Sequence, residues 1–135
     1  MDSSARPSKP VLWTGRVLSA LPVLMLLFSA AMKFARPPVV VEGMAKSGFP
    51  EHLLLPLGIL EVACTVLYIL PPTAVLGAVL LTGYLGGAVA SHVRLGEPWF
   101  MPVLLGVLLW LGLFLREPRL RPLLPLRRRP AAALS

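Results

Sequence analysis

Among the polar side chains in or beside the apolar stretches of this 135-residue chain, Ser29, Lys33, Glu61, Tyr84 and His92 could do chemistry together. Glu61 is the clearest of them. It lies eight residues into an apolar run that begins at Leu53, about 12 Å along a helix. Tyr84 lies nine residues before Val93 in the next run, about 13 Å deep by the same rise. Ser29 sits at comparable depth in the first run, so the three share one layer. Lys33, His92 and Arg94 fall above it. The spacing predicts a graded pocket with a cationic rim, then hydroxyls, then one acid. A charge at mid-bilayer costs at least about 2.5 kcal/mol and normally faces the interior of a helix bundle. Two roles are open to Glu61. It is either a protonated carboxyl that bonds to a neighbouring helix, or a proton-exchanging carboxyl on a pocket floor. Lys33 either lines the mouth or carries its ammonium to the interface on its long stem. His92 either lines the entrance or ends a solvated helix.

Other chemistries find no support. One histidine and one buried acid fall short of the roughly four ligands of a structural metal site, and His52 is the only other histidine. No metal is expected. No Ser-His-Asp set, Walker loop, GxGxxG or CxxCH run is present. Cys64 is the single cysteine and lies in an apolar run, as a small buried hydrophobe would.

The elements that position these residues follow from composition. Apolar residues make up 56% of the chain, charged ones only 14%, and mean hydropathy is +0.79. A soluble domain carries about 25% charge, so the membrane class remains. Four apolar runs of near-spanning length divide the chain. None alternates polar and apolar residues, which excludes a strand barrel. Pro71-Pro72 and Gly96-Glu97-Pro98 break the later runs. The longer first loop holds Pro37-Pro38, then Val40, Val41 and Met44 on one helical face, with Glu42 and Lys46 spaced to pair on another. It reads either as a short amphipathic helix lying in the interface or as a polar loop. The expected fold is all-α: a membrane four-helix bundle with four transmembrane helices over 13–35, 53–70, 73–93 and 99–115, plus that short interfacial helix. Basic tails over 1–12 and 117–135 flank the 13–116 bundle.

Thirteen Lys+Arg against six Asp+Glu give +7. With no nucleic-acid motif present, these charges are expected to meet anionic lipid head groups, not nucleic acid. Nine basic residues gather on the side of the termini, including Arg127-Arg128-Arg129. Four, Lys33, Arg36, Lys46 and Arg94, lie on the other. Both termini are therefore expected in the cytoplasm. The first run loosely fits a cleavable signal, but its length and the three runs that follow read as a first membrane span.

Membrane helices associate through small residues. Gly83, Gly87 and Ser91 form one small stripe on the third run, and Ala78, Thr82, Gly86 and Ala90 form another beside it. These stripes predict a central helix touching two neighbours. Gly83-xxx-Gly87 is equally suited to a homo-oligomer contact.

The order of these features resembles the DoxX-like family of small four-helix membrane proteins. The resemblance runs from about Trp13 to Pro125. It is carried by Phe28-Ser29-Ala30-Ala31-Met32-Lys33, by Val41-Glu42-Gly43-Met44 through Gly48, and by Pro56-Leu57-Gly58-Ile59-Leu60-Glu61. Further along, Leu76-Gly77-Ala78, Thr82-Gly83-Tyr84-Leu85-Gly86-Gly87-Ala88, Trp110-Leu111-Gly112-Leu113 and Leu115-Arg116 continue it. The resemblance implies a four-helix bundle in the bacterial plasma (inner) membrane. The family takes its name from a subunit of a thiosulfate–quinone oxidoreductase, and no agreed catalytic motif carries over from it.

The expected role is an accessory subunit of a membrane redox system, with a pocket that admits a quinone-like or other lipophilic small molecule. No other cofactor is evident. A small-solute transporter and a non-catalytic structural or lipid-binding partner are the alternatives. Expected partners are membrane lipids, a membrane redox protein or further copies of the chain.

Overall fold

The computed structural model describes residues 6–124 and 126. Five α-helices follow in order: α1 (Lys9–Ala35), α2 (Pro38–Lys46), α3 (Leu54–Ile69), α4 (Ala74–Leu95) and α5 (Phe100–Arg116). There is no strand among the described residues. The bundle is all-α, as its apolar runs require. The segments Lys9–Ala35, Glu51–Ile69 and Pro71–Leu95 are each long and apolar enough to cross a membrane. Helix α5 has 17 residues and reaches about 25 Å, near the thickness of the hydrocarbon layer. Trp99 precedes it and Arg116 is its last residue.

Proline and glycine set the helix limits. Pro10 occupies the first turn of α1, where a missing N–H costs nothing. The helix therefore starts at Lys9, four residues before the apolar run suggested. Gly96, at φ 69°, closes α4 in the left-handed conformation that a side chain would disfavour. Pro71 and Pro72 lie in a single 3-10 turn between α3 and α4, short enough to force them antiparallel.

Helix α1 packs on α3 and α5, and α4 packs on α3 and α5, so the four long helices close into a ring. Leu26, Tyr68, Ala78, Leu81, Leu109 and Leu113 are buried between them. Outward-facing Leu24, Ile59, Leu76 and Val79 are each more than half exposed, an apolar belt that belongs in lipid, not water. After α5, a 3-10 turn (Pro118–Leu120) folds Leu120 back into the core. The segment from 117 is thus partly packed. Arg127, Arg128 and Arg129 lie outside the described residues.

Contact is closest at the end of the bundle that bears the termini. A Cβ on Gly112 would meet the Gly15 carbonyl at 2.9 Å, so α1 and α5 touch backbone to backbone. Tyr68 donates its hydroxyl to the Leu109 carbonyl at 2.6 Å and shares a 2.9 Å bond with Ser19. Arg116 lays its guanidinium 5.4 Å from the centre of the Tyr68 ring. Tyr68→Phe is expected to cost about 1 kcal/mol, the usual worth of an interhelical hydrogen bond in a membrane protein. Thermal unfolding in detergent would measure it.

The small stripes of α4 correct one expectation. A Cβ added to Gly83, Gly86 or Gly87 would meet nothing within 4 Å. These glycines do not bring helices of this chain together. The buried face of α4 is Gly77, Ala78, Leu81 and Leu85, and Gly77 makes the close approach to α3. Beyond that level α4 stands off from its neighbours, so the later glycines border open space. Gly83, Gly87 and Ser91 line a cavity, and Gly86 borders a groove against α5. Of the second stripe, Ala78 is buried, and Thr82 accepts a 2.7 Å hydrogen bond from the Trp110 indole of α5.

Candidate functional site

The half of the bundle away from the termini holds a partly open cavity of about 740 Å³. All four long helices contribute to it, and α2 supplies Val40 and Met44. That size accommodates a drug-sized ligand. The floor lies near Met25 and Leu26, eight and seven residues before Lys33 on α1.

Ser29, Lys33, Glu61, Tyr84 and His92 all line this one cavity. Helical spacing explains the meeting. Ser29 and Lys33 are one turn apart on the same face of α1. Glu61 sits mid-helix on the inward face of α3 with Gly58, Cys64, Thr65 and Tyr68. Tyr84 and His92, two turns apart, project from α4.

The sequence placed Lys33 above the acid, at the rim. In the structure its stem folds inward and its ammonium reaches the Glu61 carboxylate at 2.8 Å. The Glu61 side chain is 2% exposed and that of Lys33 12%. Lys33 also donates to the Ser29 hydroxyl at 2.7 Å, and Ser29 donates to Glu61 at 3.4 Å. Glu61 is therefore neither lone nor bare. It is half of a buried ion pair held by a serine. The pair cancels its own charge, which makes both ions tolerable in oil. The pointer was available in the sequence, since an acid at that depth requires a cation and Lys33 is one turn from a serine of the same layer.

His92 bonds through Nδ1 to the Ala88 carbonyl at 2.7 Å. Its ring is thereby oriented, with the other nitrogen free of that bond. No group of three or more His, Cys, Asp or Glu suited to a metal ion occurs among the described residues.

Helix α2 forms one wall of the cavity. Val40, Val41 and Met44 share its half-buried face, and Glu42 and Lys46 are exposed. The amphipathic helix is thus formed, but no Glu42–Lys46 ion pair is among those of the described residues. The Arg94 guanidinium at the end of α4 donates to the Ser47 carbonyl just after α2. Gly48, at φ 82°, makes the following turn in a backbone conformation suited to glycine. This tie holds α2 across the mouth.

Sequence reasoning missed the apolar part of the lining. Phe28, Phe49, Met25, Met32, Met44 and Met101 come from several elements, and no periodic pattern joins them. The only signal was the scarcity of methionine in a leucine-rich chain.

Chemically, the site offers an apolar chamber with donors and acceptors clustered at one level. It can hold a lipophilic molecule by its polar group and can exchange a proton through Glu61, Lys33 or Tyr84. No curated protein and no solved structure matches the chain. The model of the DoxX-like family matches residues 17–112, from the first spanning helix through the Gly112 contact of the last, and so takes in every residue of the polar cluster. With most of its length and its whole polar cluster inside that match, the chain belongs to the DoxX-like family.

Proposed function

We propose that this protein binds a lipid-soluble small molecule with a polar head, quinones among the candidates, as an accessory subunit of a membrane redox system. The observation that carries the reading is the cavity itself. It places an ion pair, a tyrosine, a serine and a histidine against a mainly apolar wall. Glu61 exchanges the proton, Tyr84 hydrogen-bonds the head group, and Lys33 and His92 flank the entrance. We place the chain in a bacterial plasma membrane as a multi-pass protein. Both termini face the cytoplasm and α2 lies at the outer surface, in keeping with the excess of Lys and Arg on the terminal side.

Binding is favoured over permeation by the packing of the terminal half. Gly15, Gly112, Ser19, Tyr68 and Leu109 close it with backbone contacts and hydrogen bonds. A solute pathway would have to break them.

The test is binding of a short-tailed benzoquinone to protein in nanodiscs, corrected for uptake by empty discs. Saturable binding is expected for the wild type. Glu61→Gln keeps an acceptor for Lys33 but removes the exchangeable carboxyl. It is expected to weaken binding about tenfold, the worth of one charge-assisted hydrogen bond. Unchanged affinity in Glu61→Gln would refute the role given to the acid.

A further inference from the structure

We propose that the molecule held in this cavity carries a flat aromatic or conjugated ring, gripped by methionine thioethers. The inference rests on reading the cavity as a binding site. Met25, Met32, Met44 and Met101 are all the methionines among the described residues, and all four line the cavity. They arrive from α1, α2 and α5. Leucine is distributed very differently. The chain has thirty, and only Leu26, Leu57, Leu85 and Leu105 line the cavity.

Leucine and methionine have similar volume and are both apolar. A chamber for saturated chains needs no sulfur, and most of the outward-facing large apolar side chains are leucine, isoleucine and valine, Met25 and Met101 being the two methionines exposed there as well as lining the cavity. A thioether differs in two respects. Its sulfur is polarizable and favours the edge of an aromatic ring, and its three rotatable bonds let it adapt to the ring it meets. Methionine also serves as a gap filler in cores, but none of these four belongs to the buried core. Met25 is 44% exposed and Met101 41%. Phe28, Phe49 and Tyr84 line the same space and can stack on such a ring. Ser29, Tyr84 and His92 sit where a hydroxyl or carbonyl on the ring would be met.

Two matched compounds test this: 2-naphthol and its saturated counterpart, decahydro-2-naphthol. They share the hydroxyl and the bicyclic outline and differ in the aromatic system. Affinities are measured in nanodiscs against empty discs of the same lipid. The wild type is expected to prefer 2-naphthol by about tenfold, the sum of two or so sulfur–ring contacts. In Met25→Leu/Met32→Leu/Met101→Leu the preference should fall below about threefold. Protein made with norleucine in place of methionine should behave the same way. It removes the sulfur without changing chain length and so guards against repacking. Equal binding of the two compounds by the wild type would overturn the inference. So would a preference that survives in both sulfur-free proteins. Binding of neither compound by the wild type would overturn the reading of the cavity as a site, and this inference with it.

Discussion

Lys33→Met is expected to destabilise the bundle by about 3–5 kcal/mol, the cost of stranding one partner of a buried ion pair. The carboxylate loses its 2.8 Å cation and keeps only the 3.4 Å bond from Ser29. Its side chain is 2% exposed in the wild type, so the ammonium is its main polar neighbour. The reverse change is milder. In Glu61→Leu the lysine is left alone, but Lys33 lies in the last turn of α1 and its stem can carry the ammonium out to the head groups. About 1–2 kcal/mol is expected there. Lys33→Met/Glu61→Leu should recover wild-type stability or exceed it, because a well-packed apolar pair avoids desolvating two ions. On the binding reading proposed above, affinity for the benzoquinone should be weakened in that double variant even though its stability is restored, which separates the cluster's role in binding from its role in folding. Denaturant unfolding of the four proteins in one detergent closes the cycle. A Lys33→Met protein as stable as the wild type would show that the ion pair contributes nothing to the folded state.

Gly77→Leu is expected to be the most damaging single change in the helix contacts, at about 3 kcal/mol or more. Even a bare Cβ at this position would lie 2.5 Å from the Tyr68 Cα and 2.7 Å from the Leu67 carbonyl carbon. Those are backbone atoms, which no rotamer change can move. Helices α3 and α4 would have to part, and Tyr68 would lose its place against Ser19 and Leu109. Gly83→Ala serves as the contrast, since nothing lies within 4 Å of its added Cβ. It should leave unfolding within about 0.5 kcal/mol of the wild type or raise it, as alanine favours helix over glycine. Equal loss in both variants would contradict the packing described for α4.

The contrast shows where the sequence was legible. The four apolar runs and their Pro and Gly breaks predicted the long helices to within a few residues. Depth counting along the runs placed Ser29, Glu61 and Tyr84 in one layer, and the structure sets all three on one cavity. Counting residues measures height in a helix but not direction around it. The glycines of α4 were therefore assigned to a contact they do not make, since small residues suit a close approach and an open wall equally well. Nor does height reveal how a long side chain bends. Lys33 belonged to the rim by position and to the acid by reach. Which helices neighbour one another was equally hidden, because apolar residues cover every face of a helix in lipid. The ring order rests on particular meetings, Gly15 with Gly112 and Gly77 with Tyr68, that no single run contains.

The chamber is shut at the end bearing the termini and bounded at the other by a helix tethered through Arg94 and Ser47. A molecule or proton in this chamber reaches the surroundings on the side that carries α2 or between the helices beside Met25 and Phe28, not through the end that bears the termini.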